Sequence, residues 1–127
     1  MNEKAKKLFY RGVYYFNIKD YYEAHEYFEE MWTNYKLDDK LFIQALIQLA
    51  VAYFHITNSN KNGALGLFKK SISKLDSYLE VSNEIVNIKD VIKSAHKSYE
   101  KVIEIDDINL FDWSLAPKLK IREIFIK

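Results

Sequence analysis

The chain has 127 residues, 49% hydrophobic and 29% charged, with 19 Lys and Arg against 18 Asp and Glu for a formal net charge of +1. That length suits one domain with a real core, and the apolar content excludes a disordered chain. Near-neutral charge gives no electrostatic footprint for nucleic acid or an anionic membrane, and the absence of cysteine excludes disulfides, thiolate metal sites and a Cys nucleophile.

The opening Met1-Asn2-Glu3-Lys4-Ala5-Lys6-Lys7 leads into Leu8-Phe9-Tyr10-Arg11 rather than a long apolar run, so no signal peptide is expected and the location expected is cytoplasmic. Three Gly and one Pro leave long helices as the natural reading. Ala5, Leu8, Phe9, Gly12, Val13 and Phe16 repeat at helical spacing, which predicts a first helix from about Glu3 to Asn17. Asn17-Ile18-Lys19-Asp20 reads as a tight connection, with Asp20 as N-cap of a second helix whose apolar face is Ala24, Phe28, Met31 and Tyr35.

Asp38-Asp39 opens a third helix, Leu41 to about Thr57, and this charge-free stretch falls short of the roughly 20 residues of a membrane span. Asn58-Ser59-Asn60-Lys61-Asn62-Gly63 is a turn rich in cap residues. A fourth helix follows, with Ala64, Phe68, Ile72, Leu75 and Leu79 as its apolar row. Val81 to Asn87 breaks the pattern, and a fifth helix runs from about Ile88 to Ile105. Strand signals appear only at the end, in Leu119, Ile121 and Ile124-Phe125-Ile126. Short connections make successive helices antiparallel. The expected fold is therefore all-α: a compact single domain of about five antiparallel helices over residues 3–105, with a short non-helical tail over 106–127.

The third helix is apolar nearly all round, as a central buried helix is, and its exceptions Gln44, Gln48 and His55 fall on one narrow side. Buried amides and imidazoles need partners. The second helix offers His25 and Glu29, four residues apart and so neighbours on one face, with Trp32 in the same row. Packing the two helices together would gather His25, Glu29, Gln48 and His55, with Glu26 and Glu30 pointing further out. The alternative is structural, with the histidine and amides satisfied inside a helix interface and Trp32 a core or pocket wall.

In order along the chain, Gly12, Phe16-Asn17, Ala24-His25-Glu26, Glu29 and Trp32, then Leu46-Ile47-Gln48-Leu49-Ala50-Val51-Ala52, His55, Asn60 and Gly63-Ala64 follow a known pattern. The chain resembles the domain-of-unknown-function 309 family, small bacterial and plastid-type helical proteins, over roughly Leu8 to Leu79. Beyond that the likeness is looser, retaining mainly Pro117. The resemblance implies an all-α compact fold and maps the family's shared polar residues onto His25, Glu26, Glu29, Gln48, His55 and Asn60. It implies no reaction, because the family's biochemical role is unassigned.

Three functions fit these residues. The leading one is a partly buried His/Glu site between the second and third helices that takes a small polar ligand or a metal ion. Its binding residues would be His25, Glu29, Trp32, Gln48, His55 and Asn60; an imidazole beside a carboxylate would suit an anionic group. In the metal form, His25, Glu29 and His55 would hold a divalent cation with an open water position. The second function extends this to a metal-dependent hydrolase-like enzyme, in which the His-Glu-x-x-Glu helix supplies Glu26 or Glu29 as catalytic base.

The third is a tetratricopeptide-like interaction module, because Gly12, Tyr15, Tyr21, Ala24 and Phe28 fit that repeat's spacing, although no second copy follows. Lys61, Lys69, Lys70 and Lys74 read as a solvated helix face rather than a nucleic-acid patch, and His96 as an exposed histidine. Phe111, Trp113, Leu115, Leu119 and Ile121 are too apolar for a free tail. They fold back over the bundle or pair with a second copy of the chain.

Overall fold

The computed structural model describes residues 2–81 and 83–122. Its helices begin where short polar side chains can accept the unsatisfied amides of a first turn. Asn2 Oδ1 accepts from the Ala5 amide at 2.8 Å and starts α1 (Glu3–Asn17); Asp20 accepts from Glu23 and starts α2 (Tyr21–Asn34). Asp39 accepts from Phe42 at 3.1 Å and starts α3 (Lys40–Thr57), and Asn60 accepts from Gly63 at 2.9 Å and starts α4 (Lys61–Leu75). After a 3₁₀ turn over Asp76–Tyr78 and an irregular stretch, α5 (Ile88–Glu104) completes an all-helical fold. Leu79, expected to extend the α4 row, is exposed, because α4 ends at Leu75 and the 3₁₀ turn that follows breaks its periodicity.

The helix α3 lies between α2 and α4, with α1 packed on α2 and α5 on α4. Leu46, Leu49, Ala50 and Tyr53 have no exposed surface at all, as its all-round apolar pattern requires. By length and hydropathy alone α3 could also cross a membrane, and half of it is buried within the bundle. The approach of α1 to α2 depends on Gly12, where a Cβ would lie 2.5 Å from the Phe28 ring.

The tail as far as residue 122 packs on its own bundle. Ile108, Phe111 and Leu119 are buried, and Trp113 stacks on Tyr21 with ring centroids 5.9 Å apart. Two asparagines strap it down by pairing with backbone as another strand would. The Asn17 amide donates to the Leu119 carbonyl and its carbonyl accepts the Leu119 amide, at 2.9 and 2.7 Å. Asn87 does the same with Lys118 and Lys120, at 2.9 Å each. An isolated antiparallel bridge joins Ile85 to Ile121. The apolar run Ile124-Phe125-Ile126 lies outside the described residues.

Candidate functional site

On α2, His25 is one residue away from the buried row of Ala24, Phe28 and Met31, so its ring sits at the edge of the core, half-buried. Its Nδ1 lies 2.7 Å from the Tyr22 carbonyl, which can only accept, so Nδ1 carries the proton. That bond turns Nε2 away from the helix backbone and toward Glu26 Oε1, 3.3 Å away. Two acceptors repel, so this contact becomes attractive when Nε2 is protonated as well. Tyr22 packs edge-on against His25 at 5.2 Å and against Phe54 of α3 at 5.6 Å, which in turn lies 6.3 Å from the His55 ring. Both histidines therefore flank one aromatic contact between α2 and α3.

His55 has a different environment. The Gly63 amide can only donate, so Asn60 Oδ1 is the atom that accepts it and Asn60 Nδ2 is the atom 3.3 Å from His55 Nδ1. That amide donates, Nδ1 accepts, and the ring proton of neutral His55 sits on Nε2. The Asn60 backbone amide also donates to the His55 carbonyl at 2.8 Å, across a turn in which Ser59 takes a left-handed conformation (φ 56°). A Cβ on Gly63 would lie 2.6 Å from Asn60 Nδ2 and 2.9 Å from the His55 ring. His55, Asn60 and Gly63 thus form one lock on the α3–α4 turn.

The remaining candidates are dispersed. Gln48 faces α4 rather than α2, accepting from Lys74 Nζ at 2.8 Å. Glu29, expected to point inward, is exposed, and Glu26 is the carboxylate that meets His25. Trp32 is half-buried, with Lys40 Nζ 4.5 Å above its ring. The grouping of His25, Glu29, Gln48 and His55 is therefore split, because Gln48 lies on the α4 side of α3 and Glu29 on the solvent side of α2. Among the described residues, no three His, Asp or Glu side chains are gathered so as to hold a metal ion, His25, Glu29 and His55 included.

Two of the four lysines expected as a solvated face are also engaged. Lys74 bonds Gln48, and Lys61 donates to the Ile105 carbonyl at 2.7 Å, just past the end of α5. His96 is partly exposed as expected, but its Nε2 lies 2.8 Å from Asp76.

Residues 9–67 match the family model described as "Domain of unknown function (DUF309)". No curated protein and no solved structure matches. The DUF309 match runs from Phe9, inside α1, through α2, α3 and the first half of α4, stopping short of Leu79 and leaving α5 and the tail outside it. All the candidate residues lie inside the DUF309 segment, and their geometry divides them by use. Gly12, Asn60, Gly63 and His55 set helix approach and a turn, while the Nε2 edge of His25 and the Glu26 carboxylate face outward.

One feature carries no motif. At the end of the bundle where α3 begins, a cavity of about 440 Å³ lies among α1, the α2–α3 connection and the segment after α4. Its walls include Phe9, Phe42 and Ile43, and Asp39 sits at its edge, accepting from the Tyr78 hydroxyl at 2.7 Å. Burial, that hydrogen bond and the nearby Asp39 charge push the Tyr78 hydroxyl up to about 12. The only sequence signal near it is Asp38-Asp39, which reads locally as a helix start and nothing more.

Proposed function

We propose that this protein is a small-ligand-binding helical domain in which His25 is the recognition group. Tyr22 and Glu26 lie against it, and Phe54 packs on Tyr22. The observation carrying this reading is the bond from His25 Nδ1 to the Tyr22 carbonyl, which fixes the ring and directs Nε2 outward beside a carboxylate. A preset imidazole loses little rotational freedom on binding. When neutral it accepts a hydrogen bond at Nε2; when protonated it forms a cation–anion pair with Glu26 that a polar ligand can enter from either side. The aromatic contact of Tyr22 with Phe54 supplies an apolar wall.

A ligand that binds only the native state adds about 2.7 kcal/mol of stability at a concentration one hundred times its Kd. Thermal-shift measurement with a panel of small polar metabolites should therefore find compounds that raise the melting temperature by several degrees. The same compounds should leave His25→Ala unmoved. The reading fails if no compound shifts the native chain, or if His25→Ala responds equally. Elemental analysis of untagged protein belongs beside it, since a stoichiometric divalent metal would replace this reading with a metal centre.

A further inference from the structure

The helices on either side of α3 carry opposite charge. From Tyr21 to Asn34, α2 has four Glu and no Lys or Arg; from Lys61 to Leu75, α4 has four Lys and no Asp or Glu. Between them α3 packs on both helices and on the turn at Ile108–Leu110, which leaves one stripe of it uncovered. That stripe, Leu41, Gln44, Gln48 and Val51, is uncharged, and Leu41 is 45% exposed. The bundle therefore presents a three-helix face with an acidic margin, a neutral centre and a basic margin.

Two contacts set the levels along this face. Tyr22 packs on Phe54 and Gly63 abuts the His55 ring, so the two stand across α3 from each other at about one height. Both helices run against α3. Seven residues on, about 10 Å along each, Glu29 and Lys70 again share a height. Both are exposed, and among the described residues neither side chain has a hydrogen-bond or ion-pair partner. Gly66 lies in the same row as Gly63 and Lys70, three and four residues from them. A glycine weakens a helix interior, and nothing lies within 4 Å of where its Cβ would stand. No described neighbour calls for it, whereas a close approach from outside does.

We infer that this face joins two copies of the chain about a two-fold axis parallel to α3. Such an axis keeps every height and exchanges left for right, so α2 of one copy lies over α4 of the other. Glu29 then meets Lys70 twice, once in each direction, and the exposed Tyr22 ring meets the bare backbone around Gly66. A two-fold axis across α3 would instead set α2 on α2 and α4 on α4, where like charges repel. Helices about 9 Å apart and about 22 Å long make a face of roughly 550 Å² per copy, so about 1,100 Å² in all. That clears the ~1,000 Å² expected of a specific interface. Association needs no ligand, so it does not rest on the reading of His25, which stands on the same face.

Sedimentation of the full chain at up to about 0.2 mM, with no ligand added, populates a dimer whose Kd is at or below that range. The native chain should sediment as a dimer, held more weakly as salt is raised. Glu29→Lys and Lys70→Glu should each raise the dissociation constant at least about tenfold, because each homodimer then sets two like pairs together. Mixed in equal amounts, these two variants should recover a dimer of near-native affinity, since both pairs are again opposite in sign. Gly66→Leu should dissociate the dimer while its melting temperature in dilute solution stays at or above that of the native chain, because its own bundle leaves the position open. The inference is overturned if the chain stays monomeric, if the charge reversals or Gly66→Leu leave the dimer unchanged, or if the mixture associates no better than its parts.

Discussion

His25 and His55 flank the same Tyr22–Phe54 contact, yet they carry their ring protons on opposite nitrogens and are employed differently. His55 is embedded in a turn, where its ring, the Asn60 amide and the bare Cα of Gly63 exclude further atoms. His25 is tethered at one nitrogen and turned outward at the other. The lesson concerns motifs. A histidine, an asparagine and a glycine following in order can be a fold signature, and a neighbouring histidine on the same face can be a ligand contact. Geometry separates them where sequence spacing does not.

The sharpest way to break this contrast is at the turn. Gly63→Ala forces a methyl into atoms 2.6 and 2.9 Å away, so denaturant unfolding should show a loss of about 1–3 kcal/mol. Asn60→Ala removes the N-cap of α4 together with the partner of His55 Nδ1, and should cost about 1 kcal/mol by the same measurement.

Alkaline titration should have a gentler effect. The folded-state titration of Tyr78 is raised to about 12 from an ordinary value near 10, so the neutral hydroxyl is favoured by folding. Its contribution is fully present below pH 10 and is lost as pH rises from 10 toward 12, because the unfolded chain releases its proton first. Tyr21 and Tyr53, also pushed upward by burial, act in the same direction. Stability measured against pH should fall in that window, and Tyr78→Phe should flatten part of the slope. The smallest effect closes the comparison. His25→Ala should change stability by less than about 0.5 kcal/mol while removing the ligand response, and an effect as large as that of Gly63→Ala would make His25 a structural residue too.

What could be read from the sequence was local. The bounds of α1 and the cap Asp20 follow from chemistry within four residues and stand as expected, while the structure selects Asp39 from the pair Asp38-Asp39 and Asn60 from the several cap residues of its turn. The buried position of α3 follows from its own periodicity. The partner of Gln48 does not, because whether its side of α3 meets α2 or α4 depends on how three helices pack; Lys74 lies 26 residues away. The carboxylate beside His25 was hidden for a different reason. Helical spacing favours Glu29, four residues on, but the tether to the Tyr22 carbonyl turns the ring toward Glu26. The cavity was least accessible of all, since its lining comes from α1, α3 and two connecting segments.

The strap formed by Asn17 has a kinetic consequence. The α1–α2 and α3–α4 pairs are made between neighbours in sequence and can form early, whereas Asn17 and Leu119 are 102 residues apart. Closing so long a loop yields its return only once the bundle already presents Asn17 in place. Docking of the tail is therefore expected to end folding and to begin unfolding. Hydrogen exchange at the Leu119 amide would then follow a partial opening in which the tail lifts away while the five-helix stack beneath it stays closed.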